Sequence, residues 1–153
     1  MTDRQKQELA GILERHGVVV GYLFGSAARG TMGLHSDIDV AVLFDERKIP
    51  AEQQVNEKLT ISSEIIRAFP VENADVVILN RQHNPVLLYE SVLEGEAIYV
   101  KDTKAKVHLS QYALRQYEDT RFLRETSYQI LREQAKSGAF GRASVALKKY
   151  VAS

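Results

Sequence analysis

The richest chemistry in this 153-residue chain lies in Gly25-Ser26, a gap of ten residues, and Asp37-Ile38-Asp39. Two aspartates separated by one residue on a strand leave the same face, roughly 6.5 Å apart at a rise near 3.3 Å per residue. Carboxylates that close repel one another, and a cation between them relieves the repulsion. Oxygen ligands on a rigid element suit Mg²⁺, which keeps some waters and completes its shell with substrate phosphates. Such a pair can hold two metals about 3.5–4 Å apart, stabilising the attacking and leaving oxygens of an in-line displacement at phosphorus. Gly25 lets backbone come close to a ligand, the N–H groups of a helical start favour phosphate, and the Ser26 hydroxyl adds a donor. Arg29, one turn on, offers the same phosphate a fork-shaped donor. No Gly-Lys-Ser/Thr follows, so the stretch is not a P-loop. Asp75 heads a further β-branched run; if that strand pairs beside the second, its carboxylate completes a metal site and can accept the proton of an attacking hydroxyl. Each piece alone has a plainer reading, as a solvated strand end, a turn or a strand-start residue. Their conjunction favours the chemical one.

The elements that must position these residues follow from patterning. Thr2 and Gln5 have capping-box spacing, which predicts a helix from Asp3 to His16 with Leu9, Ile12, Leu13 and His16 on its apolar face and a stop at Gly17. Val18 to Phe24 is continuously apolar, as in a strand buried on both faces. Ala27-Ala28-Arg29 opens a short helical turn before Gly30 and Gly33 loosen the chain. The second strand, Asp37 to Phe44, sorts by parity: Asp37, Asp39, Ala41 and Leu43 on one face, and the wholly apolar Ile38, Val40, Val42 and Phe44 on the core face. Pro50 opens a helix at its first position, and Val55, Leu59, Ile66 and Phe69 mark its inner stripe up to Pro70. Asp75 to Leu79 is the third strand, and Asn84-Pro85 starts a helix that Gly95 ends. Glu96 to Val100 adds a short edge strand. Thr103 caps one long helix, carrying Leu109, Tyr112, Tyr117, Leu123, Ile130 and Leu131, packed on the same domain. The expected division is a core over 1–102, this C-terminal helix over 103–136 and a loosely held tail over 137–153.

Length and composition set the bounds. About 150 residues make one domain with a proper core, and 44% hydrophobic with 26% charged residues excludes collagen-like and low-complexity chains. With no cysteine there is no disulfide framework, thiolate zinc site or cysteine nucleophile. The first residues lack the apolar core of a secretory signal, and the apolar run around Val18 is far shorter than the roughly 18 residues of a membrane span. A cytoplasmic protein without a membrane partner is expected. Net charge is zero, with 8 Lys/Arg against 12 Asp/Glu over residues 1–80 and 12 against 8 over 81–153. Bulk charge therefore gives no reason to expect direct nucleic-acid binding. The four histidines, at 16, 35, 83 and 108, lack ligand spacing; His35 lies near the acidic pair and reads as a loop residue.

The stretch Gly25-Ser26-Ala27-Ala28-Arg29-Gly30 through Ser36-Asp37-Ile38-Asp39-Val40 resembles the signature of the DNA polymerase beta-like nucleotidyltransferase superfamily. The resemblance covers about residues 8–100. Within that superfamily the chain is similar to the minimal nucleotidyltransferases, antitoxin partners of HEPN-domain toxins. The resemblance implies an α/β (α+β) fold, a small mixed sheet flanked by helices, and Mg²⁺-dependent transfer of a nucleotide from ATP with loss of pyrophosphate. It also implies addition of AMP to a tyrosine hydroxyl of the cognate HEPN ribonuclease toxin, which silences it. By that analogy Asp37 and Asp39 bind metal, Asp75 binds metal and acts as base, Gly25 and Ser26 hold the triphosphate, and Arg29 contacts phosphate. No covalent enzyme intermediate is involved, so the missing nucleophile does no harm.

Two other functions stay open at this level: an aminoglycoside-type nucleotidyltransferase, and an antitoxin that binds without catalysis. Nucleotide machinery occupies most of residues 17–80 and leaves no second domain to grip a large RNA or a sugar. A docked protein is the expected acceptor, with Tyr112, Tyr117, Phe122 and Tyr128 either as anchors on the docking face or packing their helix on its own domain.

Overall fold

The computed structural model describes residues 1–30 and 37–138. Helix α1 (Asp3–Arg15) begins with the expected capping box: the Thr2 hydroxyl accepts from the Gln5 amide N–H, and the Gln5 side chain accepts from Thr2 N–H. It leads to β1 (Val18–Phe24), the short helix α2 (Gly25–Arg29) and β2 (Ile38–Phe44). Asp37 thus stands one residue before its strand. Helix α3 (Ala51–Ala68), with Pro50 as N-cap rather than first residue, crosses over to β3 (Ala74–Ile78). Then come α4 (Pro85–Leu88), a π-helical turn over Tyr89–Leu93, and β4 (Glu96–Val100). The Asn84 side chain caps α4 by accepting from the N–H groups of Val86 and Leu87.

The four strands form one mixed sheet in the order β3-β2-β1-β4. β1 pairs antiparallel with both β2 and β4, while β2 and β3 run parallel. Parallel pairing needs a crossover, and α3 supplies it. As a central strand, β1 is buried along its length except at Val19. One sheet face packs Ile38, Val40, Val42 and Phe44 with Leu9, Leu13, Ile61 and Ile65 of α1 and α3. The other packs Val20, Tyr22 and Ala41 under Leu88, Val92, Leu109 and Ala113. The face that carries Asp39 is therefore core as well, beyond the position of the aspartate itself.

Two expectations are corrected. Val55 and Leu59 of α3 are 59% and 58% exposed, and Ile66 is exposed too; the inner stripe is Gln54, Ile61 and Ile65 instead. Polar contacts set that rotation. His16 lies against Glu57 and Glu64 (Nδ1–Oε1 2.6 Å, Nε2–Oε1 2.9 Å), and the Ser62 hydroxyl donates to the Ala74 carbonyl at 2.7 Å. The single C-terminal helix is in fact two, α5 (Thr103–Asp119) and α6 (Arg121–Ser137), with Thr120 between them.

Two compact units divide the chain, residues 1–117 and 118–153. In the first, α5 buries Leu109 and Ala113, and Tyr117 stacks on Tyr89 with ring centroids 4.0 Å apart. Tyr112 is half-buried, and its hydroxyl donates to the Gln82 carbonyl. In the second, Phe122 and Tyr128 of α6 are exposed, and Gly138 caps the helix. The expected tail, from residue 139 on, lies outside the described residues, as does His35. Among the described residues no helix is long and apolar enough to cross a membrane.

Candidate active site

Register carries the acidic residues into one line. Phe24, the last residue of β1, pairs with Asp39, and Asp39 pairs with Asp75 across the parallel β2–β3 ladder. In-register neighbours on adjacent strands share a face, so Gly25, Asp39 and Asp75 all stand at the same end of the sheet. Asp37, exposed, precedes them by one strand step.

Gly25 fits its place for two reasons. Its φ of +69° is in the left-handed region, and a Cβ there would run into the Asp39 carboxylate, coming within 3.3 Å of Asp39 Cγ as well. Only glycine lets the chain turn from β1 into α2 while the carboxylate lies directly against it. Phe24 stands at the N-cap position and supplies no side-chain hydrogen bond. Ala27 is buried in the core beneath and anchors α2, which leaves Arg29 exposed at its end.

A cleft of about 320 Å³ opens here, lined by Phe24, Gly25, Ala28, Arg29, Asp39, Glu90 and Glu94. Three of the expected site residues, Gly25, Arg29 and Asp39, share it directly. Ser26, Asp37 and Asp75 lie beside it without lining it. Sequence reasoning missed Glu90 and Glu94. Glu90 lies in the π-helical turn and Glu94 is its C-cap, the Glu94 N–H donating to the Tyr89 carbonyl at 3.0 Å. Gly95 makes this approach possible: a Cβ there would strike the Ser91 carbonyl and come within 3.1 Å of the Leu23 carbonyl on β1. The buried Ser91 hydroxyl, donating to the Leu87 carbonyl at 2.7 Å, pins the turn from within. A glycine directly before an edge strand was the available signal.

The electrostatics of the cleft are lopsided. The Asp39 carboxyl is held above the usual carboxylate range, first by burial, then by the negative charges of Asp75 and Asp37; Arg29 partly offsets them. Glu90 and Glu94 add further negative charge, and neither side chain has an ion pair or hydrogen bond among the described residues. Such a donor set suits a hard divalent cation: carboxylates alone, from adjacent strand ends, one of them destabilised by its neighbours' charge. Among the described residues no three of His, Cys, Asp or Glu are gathered closely enough to hold a metal ion.

The model of the family "Polymerase beta, Nucleotidyltransferase" matches residues 7–104, well over half of the chain, and the chain belongs to that family. No curated protein matches its sequence. Among solved structures, a chain of a toxin–antitoxin complex with AMP-PNP superimposes with a TM-score of 0.65 at 20% identity, covering 83% of this chain and 98% of that one. A chain of a toxin–antitoxin MntA–HpeT mutant with two aspartates changed to glutamate gives 0.65 at 16% identity, with the same coverages. A third, from an MntA–HpeT mutant with a tyrosine changed to alanine, gives 0.65 at 20% identity and covers 83% and 97%. At these identities the likeness establishes the shared fold.

Proposed function

We propose that the protein is an antitoxin of the minimal nucleotidyltransferase kind, which transfers AMP from ATP to a tyrosine hydroxyl of a HEPN ribonuclease toxin in the cytoplasm. The family match supports nucleotidyl transfer, and the fold shared with chains of toxin–antitoxin complexes, one of them holding AMP-PNP, supports the partner and the nucleotide. The observation that carries the reading is the alignment of Gly25, Asp39 and Asp75 at one sheet end, with Gly25 against the Asp39 carboxylate.

Asp37, Asp39 and Asp75 would hold Mg²⁺, two ions in the fullest arrangement, which supply positive charge to the triphosphate and to the departing pyrophosphate. Gly25 and Ser26 present backbone and hydroxyl donors to the triphosphate, and Arg29 adds a guanidinium at the open side of the cleft. Asp75 takes the proton of the acceptor hydroxyl as its oxygen bonds to the α-phosphorus. The bond from that phosphorus to the bridging oxygen breaks, and pyrophosphate leaves with the electron pair.

The test is incubation with labelled ATP, Mg²⁺ and the product of the neighbouring open reading frame. Label on a toxin tyrosine, lost in Asp39→Asn, is expected. Label that persists in Asp39→Asn overturns the metal role, silencing without label favours a binding-only antitoxin, and label only on an added aminoglycoside favours drug modification.

A further inference from the structure

A second cavity lies apart from the acidic cleft. About 520 Å³ opens at the opposite end of the sheet, where the parallel strands β2 and β3 finish and α5 passes over them. Leu43, Leu79, Ala105 and Leu109 form its apolar floor, and Arg81, His83, His108 and Tyr112 stand around it. The carboxyl ends of parallel strands are where open α/β sheets commonly receive ligands. The volume falls within the roughly 300–1,000 Å³ range of small-molecule sites, which pair an apolar lining with a few convergent polar groups.

The rim is built before any ligand arrives. Asn80 closes both ends of an amide pair with Phe44, its Oδ1 accepting from Phe44 N–H and its Nδ2 donating to the Phe44 carbonyl, each at 2.9 Å. That pair fixes the loop carrying Arg81 and His83. The Tyr112 hydroxyl donates to the Gln82 carbonyl at 3.3 Å and lies 3.2 Å from His83 Nδ1, which ties His83 to α5. His108 makes no hydrogen bond or ion pair among the described residues. No acidic side chain lines the cavity. Glu46, exposed, sits 3.8 Å from exposed Arg81, and such surface pairs are weak enough to yield.

We propose that this cavity binds a small anion with an apolar ring body, the rings lying on Leu43, Leu79 and Leu109 and the anionic group meeting Arg81, His83 and His108. Carboxylate, sulfonate and phosphate heads share the chemistry, and the apolar floor favours a head that carries a ring over a bare inorganic anion. The site lies apart from the acidic cleft, and its existence does not depend on nucleotidyl transfer.

Titration of the whole protein with naphthalene-2-sulfonate, followed by amide chemical shifts, tests it. Saturable binding is expected, with shifts concentrated at Leu43, Leu79, Ala105 and Leu109. Neutral 2-naphthalenemethanol and the variant Arg81→Ser/His108→Ala should each bind about tenfold more weakly. Both substituted side chains are exposed, so the fold survives the change. Equal binding of the neutral analogue, undiminished binding by the variant, shifts centred on Gly25 and Asp39 instead, or no saturable binding at millimolar probe would each overturn the proposal.

Discussion

Replacing His16 with glutamine should cost the fold about 2 kcal/mol, although the residue is far from the cleft. The imidazole is 9% exposed and sits between two carboxylates, Glu57 at 2.6 Å and Glu64 at 2.9 Å, with Arg15 on the far oxygen of Glu64 at 3.0 Å. Both ring nitrogens lie within hydrogen-bond distance of a carboxylate oxygen, so the ring ties Glu57 to Glu64. Glutamine has one side-chain nitrogen where the imidazole has two and cannot hold both carboxylates in place. Breaking a fully buried pair costs about 3–5 kcal/mol and an exposed one under about 1 kcal/mol. Side chains 28% and 27% exposed put these acids between those limits. At about 2–4 °C per kcal/mol for a chain of this size, Tm should fall by about 4–8 °C. Urea unfolding at pH 7 should show a lower midpoint and an unchanged slope. A cycle with Glu57→Gln should recover at least half of the loss as coupling. The acid limb gives a second readout. The Glu64 carboxyl is held below its ordinary value of 4.5, chiefly by the His16 hydrogen bond and then by Arg15. Its contribution is therefore complete above pH 4.5 and is lost as the pH falls through the lowered folded value. In His16→Gln that limb should be shallower. A loss under about 0.5 kcal/mol, or an acid limb unchanged from the parent, would refute the bridge between α1 and α3.

Three further outcomes test the cleft. Asp39→Asn should raise Tm in metal-free buffer while abolishing transfer, because a carboxyl held above its ordinary range destabilises the fold at neutral pH and that cost fades as the pH falls through the raised value; a lower Tm measured by calorimetry would contradict the repulsion. Gly25→Ala should lower stability by about 1–2 kcal/mol from the left-handed backbone alone, and should weaken ATP binding at least about tenfold because the methyl displaces the Asp39 carboxylate; ATP affinity at parental level by calorimetric titration would remove Gly25 from the site. Glu90→Gln with Glu94→Gln should tighten metal-free ATP binding a few-fold at low salt, since each like charge about 8 Å away in water contributes roughly 0.5 kcal/mol. That gain should shrink toward zero by 0.5 M salt, and a salt-independent change would place its cause elsewhere.

The parts of this molecule that could be read from residue order are those whose physics is local. Thr2 with Gln5, Asn84 with Pro85 and the unbroken apolar run of β1 each announce themselves within a few residues, and each forms as expected. Helix α3 misleads because apolar spacing alone chooses Val55, Leu59 and Ile66, whereas polar groups settle which way the helix faces. Glu57 and Glu64 turn toward His16, Ser62 toward the Ala74 carbonyl, and Gln54 donates to the Ile49 carbonyl. Those partners lie 12 to 48 residues away, except Ile49, and no window along the chain contains them. The cleft divides in the same way. Gly25 and Asp39 are legible because one antiparallel register brings the end of β1 to the start of β2. Asp75 depends on a parallel pairing across the whole of α3, so its strand context alone left its position conditional. Glu90 and Glu94 depend on a π-helical turn that helical periodicity hides, and on Gly95 admitting that turn against the Leu23 carbonyl. Since that glycine both opens the approach and fixes its depth, Gly95→Ala should push the acidic wall away from Gly25. The acidity of the cleft is thus set partly by a backbone contact that no titratable residue makes.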